Sequence, residues 1–110
     1  MAVDEYTVCV YSRRVIRSFA DVGTAHVFYA EDTKAARRLP KLLWPIITRK
    51  LDYLHAARSL HDLRQPPANR LEALASDQRG RHSIRVNDQF RLTFRFDQGD
   101  AWEVRCEDYH

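Results

Sequence analysis

The stretch Arg79–Phe96, RGRHSIRVNDQFRLTFRF, decides the fold of this 110-residue chain. Its residues alternate between apolar and polar types on both sides of Asn87 and Asp88, a pattern typical of two β-strands joined by a tight turn. The even-numbered positions form the apolar set: Ile84, Val86, Phe90, Leu92, Phe94 and Phe96. The odd-numbered positions form the polar set: Arg81, Ser83, Arg85, Arg91, Thr93 and Arg95. One face of this hairpin is therefore predicted to be buried, and the other to carry arginines.

The alternation also predicts the loop and the register of the hairpin. A two-residue turn, Asn87–Asp88, would pair Val86 with Gln89 and mix apolar and charged residues on both faces. A sheet with one buried face does not tolerate that mixture. A three-residue loop, Asn87–Gln89, pairs Val86 with Phe90 and keeps each face uniform. This register places two pairs of arginines opposite each other: Arg85 with Arg91, and Arg81 with Arg95.

A third strand is predicted over Ala101–Asp108, after a loop Gln98–Asp100. Its apolar set is Trp102, Val104 and Cys106. The predicted register places an acid opposite each of two arginines: Glu103 opposite Arg95, and Glu107 opposite Arg91. It also brings the last two residues, Tyr109 and His110, to the end of the sheet where Arg85 and Arg91 lie.

Like charges that face each other across two strands destabilise the pair by roughly 0.2–1 kcal/mol. Arg85 has no acidic neighbour in the predicted register, so we interpret Arg85 and Arg91 as a site for an anion. Together with Tyr109 and His110, they form a candidate phosphodiester site. Taken alone, arginines on a sheet face are more often ordinary surface residues.

The rest of the chain is predicted to begin with a strand, Val15–Phe19, and to continue with helices. Thr24 is predicted to cap a short helix over residues 24–31, and another helix is predicted to start at Thr33. The main amphipathic helix is predicted from residue 43 to residue 57 or 58, because apolar residues recur at helical spacing: Leu43, Ile46, Ile47, Leu51 and Leu54. In this interpretation Lys50 lies off the apolar stripe. Pro66–Pro67 predicts a loop between this helix and the sheet.

The composition, with 45% hydrophobic and 30% charged residues, is that of one globular domain. The formal net charge is +3, and the three lysines are far outnumbered by arginines, which bind phosphate in planar, bidentate geometry. Cys9 and Cys106 lack the spacing of metal ligands, and no metal or other cofactor is expected. Neither a secretory signal nor a membrane span is recognised, so a cytoplasmic protein is predicted.

Five motifs of this chain, taken in order, are typical of one protein family. They are VIRSF (15–19), LDYLHAA (51–57), LHDLRQPPANRLEAL (60–74), HSIRVNDQFRLTF (82–94) and the terminal EDYH (107–110). Together they resemble the HigB-type toxins of the RelE superfamily, also called plasmid-maintenance killer proteins. The resemblance covers residues 15–110 as a toxin domain. Residues 1–14 precede the usual start of the family and are interpreted as an N-terminal arm, either disordered or an extra strand.

The resemblance implies an α+β, RelE-like fold. A small antiparallel sheet, built from an N-terminal strand and a C-terminal three-stranded meander, would carry two or three helices on one face. It also implies a type II toxin that inhibits translation as a ribosome-dependent, metal-independent endoribonuclease, cutting mRNA in the A site. The implied partners are the ribosome with its mRNA and a HigA-type antitoxin, a helix-turn-helix protein through which alone operator DNA would be bound.

The resemblance also assigns residues. Arg85, Arg91, Tyr109 and His110 are expected to act in catalysis. Arg70 matches the family's loop arginine and is expected to bind RNA. Arg81 and Arg95, on the polar face of the predicted hairpin, are expected to bind RNA as well. Some members of the family carry a His and a Lys in the loop before the second strand, where this chain has Glu72 and Ala75. That departure leaves a second interpretation open, a non-catalytic module that binds RNA or a partner protein.

Overall fold

A computed structural model describes residues 16–74 and 80–108. In chain order its elements are α1 (Val22–Phe28), α2 (Trp44–Ala56), β1 (Glu72–Ala73), β2 (Arg81–Arg85), β3 (Phe90–Asp97) and β4 (Asp100–Asp108). Four short 3₁₀ turns join them: Ala36–Arg38, Lys41–Leu43, Leu60–Arg64 and Pro67–Asn69. The strands form one antiparallel sheet in the order β1-β2-β3-β4. The predicted α+β class is confirmed, and the predicted arm over residues 1–14 lies outside the described ranges.

Helix α2 supplies the side of the core that faces the sheet. It begins with Trp44 and Pro45, and the proline is tolerated because a first helical turn leaves its N–H groups unbonded. The predicted apolar stripe is confirmed, since three of its residues are fully buried: Ile47, Leu51 and Leu54. They belong to one core with the buried apolar residues of β2, β3 and β4: Ile84, Leu92, Phe94, Val104 and Cys106. Within the described ranges, no helix is both long and apolar enough to cross a membrane.

Helix α1 starts two residues earlier than predicted, because its cap is Asp21 rather than Thr24. The Asp21 carboxylate accepts hydrogen bonds from the Thr24 backbone N–H at 2.9 Å and from its hydroxyl at 2.7 Å. Burial works against the ionised form of Asp21, but these bonds and the Arg38 guanidinium outweigh it and hold the pKa of the carboxyl below its usual range. The helix predicted from Thr33 is wrong as well; only a 3₁₀ turn forms there, over Ala36–Arg38.

The predicted first strand is wrong in its pairing. Ile16 and Phe19 make two isolated bridges to β4, with Ala101 and Val104, and both bridges are parallel rather than antiparallel. The sheet's fourth strand is instead β1, a two-residue strand in the segment predicted as a loop, where Glu72 pairs with Ser83. The spacing of apolar residues predicts neither the parallel bridges of Ile16 and Phe19 nor the strand β1. Both segments are too short for an alternation to specify how they pair.

The predicted register of the first hairpin is confirmed. Arg85 lies opposite Arg91, and Arg81 lies opposite Arg95. The loop Asn87–Gln89 is closed by the Asn87 side chain, whose Oδ1 accepts hydrogen bonds from the backbone N–H groups of Gln89 and Phe90. An asparagine that bonds the backbone two and three residues ahead stabilises a tight loop without a glycine.

The second hairpin differs from its prediction. Its turn has only two residues, Gln98 and Gly99, both at positive φ (51° and 82°), as in a type I′ turn. Parity is restored by a β-bulge between the pairs Thr93/Arg105 and Arg95/Trp102. The extra residue is Glu103, at a φ of 55°. The predicted register is therefore wrong, because Trp102 rather than Glu103 lies opposite Arg95 and on the arginine face. The Glu103 carboxylate still lies 3.9 Å from Arg95 Nε.

His82 makes the stability of the fold depend on pH. Its ring stacks on Phe94 with 6.3 Å between the ring centroids, and its buried Nδ1 has no hydrogen-bond partner in the part of the chain that is described. Burial lowers the pKa of His82, partly opposed by a hydrogen bond with the Gly80 backbone. The unfolded chain therefore binds this proton more tightly, and stability is lost as the pH falls below about 6.5, the ordinary pKa of histidine.

We expect the free energy of unfolding to fall more steeply towards acid pH in the wild-type protein than in a His82→Phe variant. The phenylalanine keeps an aromatic ring against Phe94 but has no group to protonate. Urea denaturation of both proteins across the acid range measures the difference. Equal slopes would show that protonation of His82 does not oppose folding.

Candidate functional site

Arg85 on β2 and Arg91 on β3 face each other across the two strands. Arg91 is mostly enclosed, with its side chain 11% exposed. Its Nε donates to Ser83 Oγ at 2.8 Å, and one Nη donates to the carbonyl oxygen of Arg70 at 2.6 Å. The Glu72 carboxylate lies 3.9 Å from the same Nη. The guanidinium is thus held in one orientation by three parts of the chain before any ligand binds.

Arg85 is the more accessible member of the pair, with its side chain 32% exposed. The expectation that it lacks an acidic neighbour is wrong, because it forms an ion pair with Asp88 in the hairpin loop. Sequence parity could not find this contact, since Asp88 lies in the loop and not opposite Arg85 in a strand. The Asp88 side chain is 92% exposed. Such surface ion pairs contribute about 0–1 kcal/mol, so an incoming phosphate can replace this one at little cost.

Lys50 is the charged residue near the site that sequence reasoning missed. It is only 6% exposed, and its Nζ donates to Asn69 Oδ1 at 2.6 Å. Burial lowers the pKa of Lys50, and the nearby positive charges of Arg49 and Arg85 lower it further. The helical spacing contained the signal: positions 47, 50, 51 and 54 lie on one face of α2, and only the residue type argued against burial.

The other end of the arginine face is built around the bulge. Arg81 donates to Glu103 Oε1 and to Thr93 Oγ1, both at 3.2 Å. The Arg95 guanidinium lies 5.6 Å from the centroid of the Trp102 ring. Four residues separate Arg91 from Arg95 on β3, a distance of about 13 Å along a strand. Two of the arginines predicted to bind RNA, Arg81 and Arg95, therefore lie together at the opposite end of the hairpin from the Arg85/Arg91 pair.

The remaining predicted residues lie at the Arg91 end of the sheet or beyond the described ranges. Arg70 has a left-handed backbone, with a φ of 47°, and an exposed side chain. Asp108, the last described residue of β4, pairs with Phe90 and accepts a hydrogen bond from Gln89 Nε2 at 2.9 Å. The predicted roles of Tyr109 and His110, which follow it, lie outside the described residues.

The arginines of the sheet region are balanced by acidic residues. Residues 65–110, which contain the whole sheet, hold seven arginines and eight acidic residues. Residues 21–64 hold eight lysines and arginines against five acidic residues. The positive excess of the chain is therefore in its helical part. An anion at the sheet would be recognised by individual, oriented guanidinium groups rather than by a large positive potential.

A family model and one named relative identify the family of this chain. A family model described as the RelE-like toxin of type II toxin-antitoxin system HigB matches residues 17–110. Toxin HigB-1 of Vibrio cholerae serotype O1 is 46% identical over 74 residues, which are 67% of this chain and 77% of that protein. An uncharacterized protein of Haemophilus influenzae is 40% identical over 64 residues, 58% of this chain and 63% of its own length.

A solved structure supports the fold. The YoeB-YefM complex from Staphylococcus aureus contains a chain that superposes with a TM-score of 0.50. The alignment covers 89% of this chain and 98% of that chain, at 22% sequence identity. At that identity the similarity concerns the arrangement of helices and strands, and the site residues have to be argued from this chain.

Proposed function

Because the chain belongs to the HigB-like toxins, the RelE-like toxins of type II toxin-antitoxin systems, we propose that it inhibits translation by cutting mRNA in the ribosomal A site. The observation that carries this proposal is the opposed pair Arg85/Arg91. Asp88 and Glu72 partly offset the repulsion between the two guanidinium groups, and the Asp88 side chain is exposed enough for a phosphate to take its place beside Arg85. Guanidinium groups also match the geometry of a phosphate.

The proposed chemistry uses the RNA's own 2′-hydroxyl as the nucleophile. Its oxygen attacks the adjacent phosphorus as its proton is removed, and the bond from phosphorus to the 5′-oxygen breaks as that oxygen takes up a proton. Negative charge accumulates on the phosphorane oxygens in between. Arg85 and Arg91 stabilise that charge, a task that oriented cationic donors perform without a metal ion.

The proton transfers and RNA contacts are assigned to the neighbouring residues. His110 is the proposed proton-transfer group, since an imidazole titrates near neutral pH and such a transfer contributes about 10²–10⁴-fold to a rate. Tyr109 orients or stacks on the nucleotide. The flanking arginines hold the RNA on either side of the cleaved bond: Arg70, Arg81 and Arg95.

The proposal includes partners and location. As a type II toxin the chain has a protein antitoxin, which we propose is of the HigA type with a helix-turn-helix domain. Operator DNA is then bound only through the toxin-antitoxin complex. The target is mRNA on the ribosome, so the protein acts in the cytoplasm. Residues 15–110 form the toxin domain, and residues 1–14 form an arm outside it.

Primer extension on a reporter mRNA, isolated from cells that express the chain, tests this proposal. We expect discrete cuts inside the reading frame, and their loss when the start codon of the reporter is replaced. The matched mRNA differs from the reporter only in its start codon, so it carries no translating ribosomes. Cuts of equal strength in both mRNAs would disprove dependence on the ribosome.

One observation favours a second candidate, a toxin that binds RNA or a partner without cutting. Glu72 and Ala75 stand where some members of the family carry a His and a Lys, and the Glu72 carboxylate lies 3.9 Å from the enclosed Arg91. Growth arrest without any cut in the translated reporter would support that candidate over the nuclease.

A further inference from the structure

We propose that the loop Pro66–Arg70 is a positioning device for Arg91, in which the buried side chain of Asn69 holds the Arg70 carbonyl where it binds the Arg91 guanidinium. The consequence for RNA cleavage rests on the proposed function. The positioning itself does not rest on that function, because it concerns the orientation of Arg91 in the protein without RNA. The proposal gives a role to the PPANR part of the sequence motif, which the catalytic assignment leaves unexplained.

Asn69 is the centre of the device. Its side chain is fully buried and makes hydrogen bonds in both directions. Oδ1 accepts from Lys50 Nζ at 2.6 Å, while Nδ2 donates to the carbonyl oxygens of Leu63 and Gln65 at 3.1 and 3.2 Å. A buried polar group is stable only with such partners. An acceptor and two donors on one short side chain are the property of asparagine, so aspartate and leucine lack what this position uses.

Asn69 ends the 3₁₀ turn Pro67–Asn69, and Arg70 follows in a left-handed conformation with φ 47° and ψ 59°. For a residue other than glycine this conformation is strained and persists only where the surroundings impose it. The surroundings here are the bonds of Asn69 and the hydrogen bond from the Arg70 N–H to the Pro67 carbonyl at 3.0 Å.

The loop contacts Arg91 through the carbonyl oxygen of Arg70, which accepts a hydrogen bond from Arg91 Nη at 2.6 Å. With Ser83 Oγ on Nε at 2.8 Å, two nitrogens of the guanidinium are bonded to different parts of the chain, which restricts its rotation. The connection therefore runs from Lys50 in α2 through Asn69 and Arg70 to Arg91 in the sheet. These residues meet only in the folded protein.

The test compares Asn69→Ala with Thr24→Ala. Thr24 is equally buried, and its hydroxyl accepts a hydrogen bond from the Cys106 N–H at 2.9 Å, so its loss weakens the fold by a comparable mechanism away from Arg91. The first measurement is the exchange rate of the Arg91 Nε–H with solvent, by NMR. We expect it to rise at least about tenfold in Asn69→Ala and to stay near the wild-type rate in Thr24→Ala.

The second measurement is single-turnover cleavage of mRNA bound to ribosomes. We expect Asn69→Ala to cleave about 10- to 100-fold more slowly, with half-saturation by ribosomes unchanged. The double variant Asn69→Ala/Arg91→Ala is expected to be no slower than Arg91→Ala, because positioning has no effect once the positioned group is gone. If Asn69→Ala does not fold, Lys50→Met is used in its place, since it removes one of the hydrogen bonds that hold Asn69. We expect the Arg91 exchange rate to rise and the cleavage rate to fall in the same directions, by smaller factors.

Each outcome is decisive. An unchanged Arg91 exchange rate in Asn69→Ala overturns the proposal, as does an equal rise in Thr24→Ala, which would indicate a general loss of stability. Losses of cleavage that multiply in the double variant also overturn it. A wild-type protein that does not cut ribosome-bound mRNA disproves the proposed function instead, and the exchange measurement then decides the positioning proposal alone.

Discussion

Replacing Arg91 with alanine is expected to slow the cleavage of ribosome-bound mRNA by about 100- to 1,000-fold, the usual effect of removing one oriented donor to a developing negative charge. Arg91 is held by Ser83 and by the Arg70 carbonyl, so in the proposed reaction its charge would be in place before the phosphorane forms. Single-turnover cleavage measures the rate. In cells, we expect colonies to form after the Arg91→Ala protein is induced.

Two other variants separate orientation from charge. Arg91→Lys keeps the positive charge but not the planar group that bonds Ser83 and Arg70 together, so we expect a rate between those of alanine and arginine. Arg105→Ala removes an exposed arginine of the same sheet that forms an ion pair with Glu107. We expect the cleavage rate of this control variant to stay within about twofold of wild type. Full cleavage by Arg91→Ala would exclude Arg91 from the active site.

Replacing Gly23 with alanine is expected to destabilise the protein, although glycine to alanine within a helix ordinarily stabilises by about 1 kcal/mol. A Cβ atom at Gly23 would lie 2.4 Å from the carbonyl oxygen of Ala35 and 3.4 Å from a guanidinium nitrogen of Arg38. The first neighbour is backbone and cannot rotate away. We therefore expect a net loss of about 1–3 kcal/mol in the free energy of unfolding.

Chemical denaturation measures this loss, with Val22→Ala as the matched control in the same helix. Val22 is 61% exposed, and surface substitutions of this kind change stability by no more than about 0.5 kcal/mol. A Gly23→Ala protein that is more stable than wild type would show that α1 and the segment after it can separate without cost.

The hairpin and the main helix show how much of the fold follows from local pattern. Alternation over the hairpin was enough to choose a three-residue loop and to place Arg85 opposite Arg91. In the second hairpin the same logic chose the wrong loop. A two-residue turn with a bulge at Glu103 satisfies parity equally well, and the two solutions differ in which face receives Trp102. A bulge has no periodic signature, since it interrupts the period.

The candidate site, like the fold, was predictable only where residues lie in strands with a regular alternation. The opposed arginines were predictable because they lie in strands whose register is set by burial. Their partners were not, because Asp88 comes from the loop, and the Arg70 carbonyl and Glu72 come from a segment without periodicity. Lys50 was missed for a different reason: its spacing indicated the core, and its charge argued for the surface. The hydrogen bond to Asn69, 19 residues away, makes its burial acceptable.

Along the stretch Arg79–Phe96, the alternation of apolar and polar residues is enough to set the register of the hairpin and to place Arg85 opposite Arg91. A slip of one residue would bury the charges and expose the apolar side chains, so burial selects one register. How those arginines are held and neutralised depends on the packed fold. Hydrogen bonds and ion pairs depend on atoms brought within about 3–4 Å, and distant segments such as Asn69 and Glu72 reach that distance only once the helices have packed on the sheet.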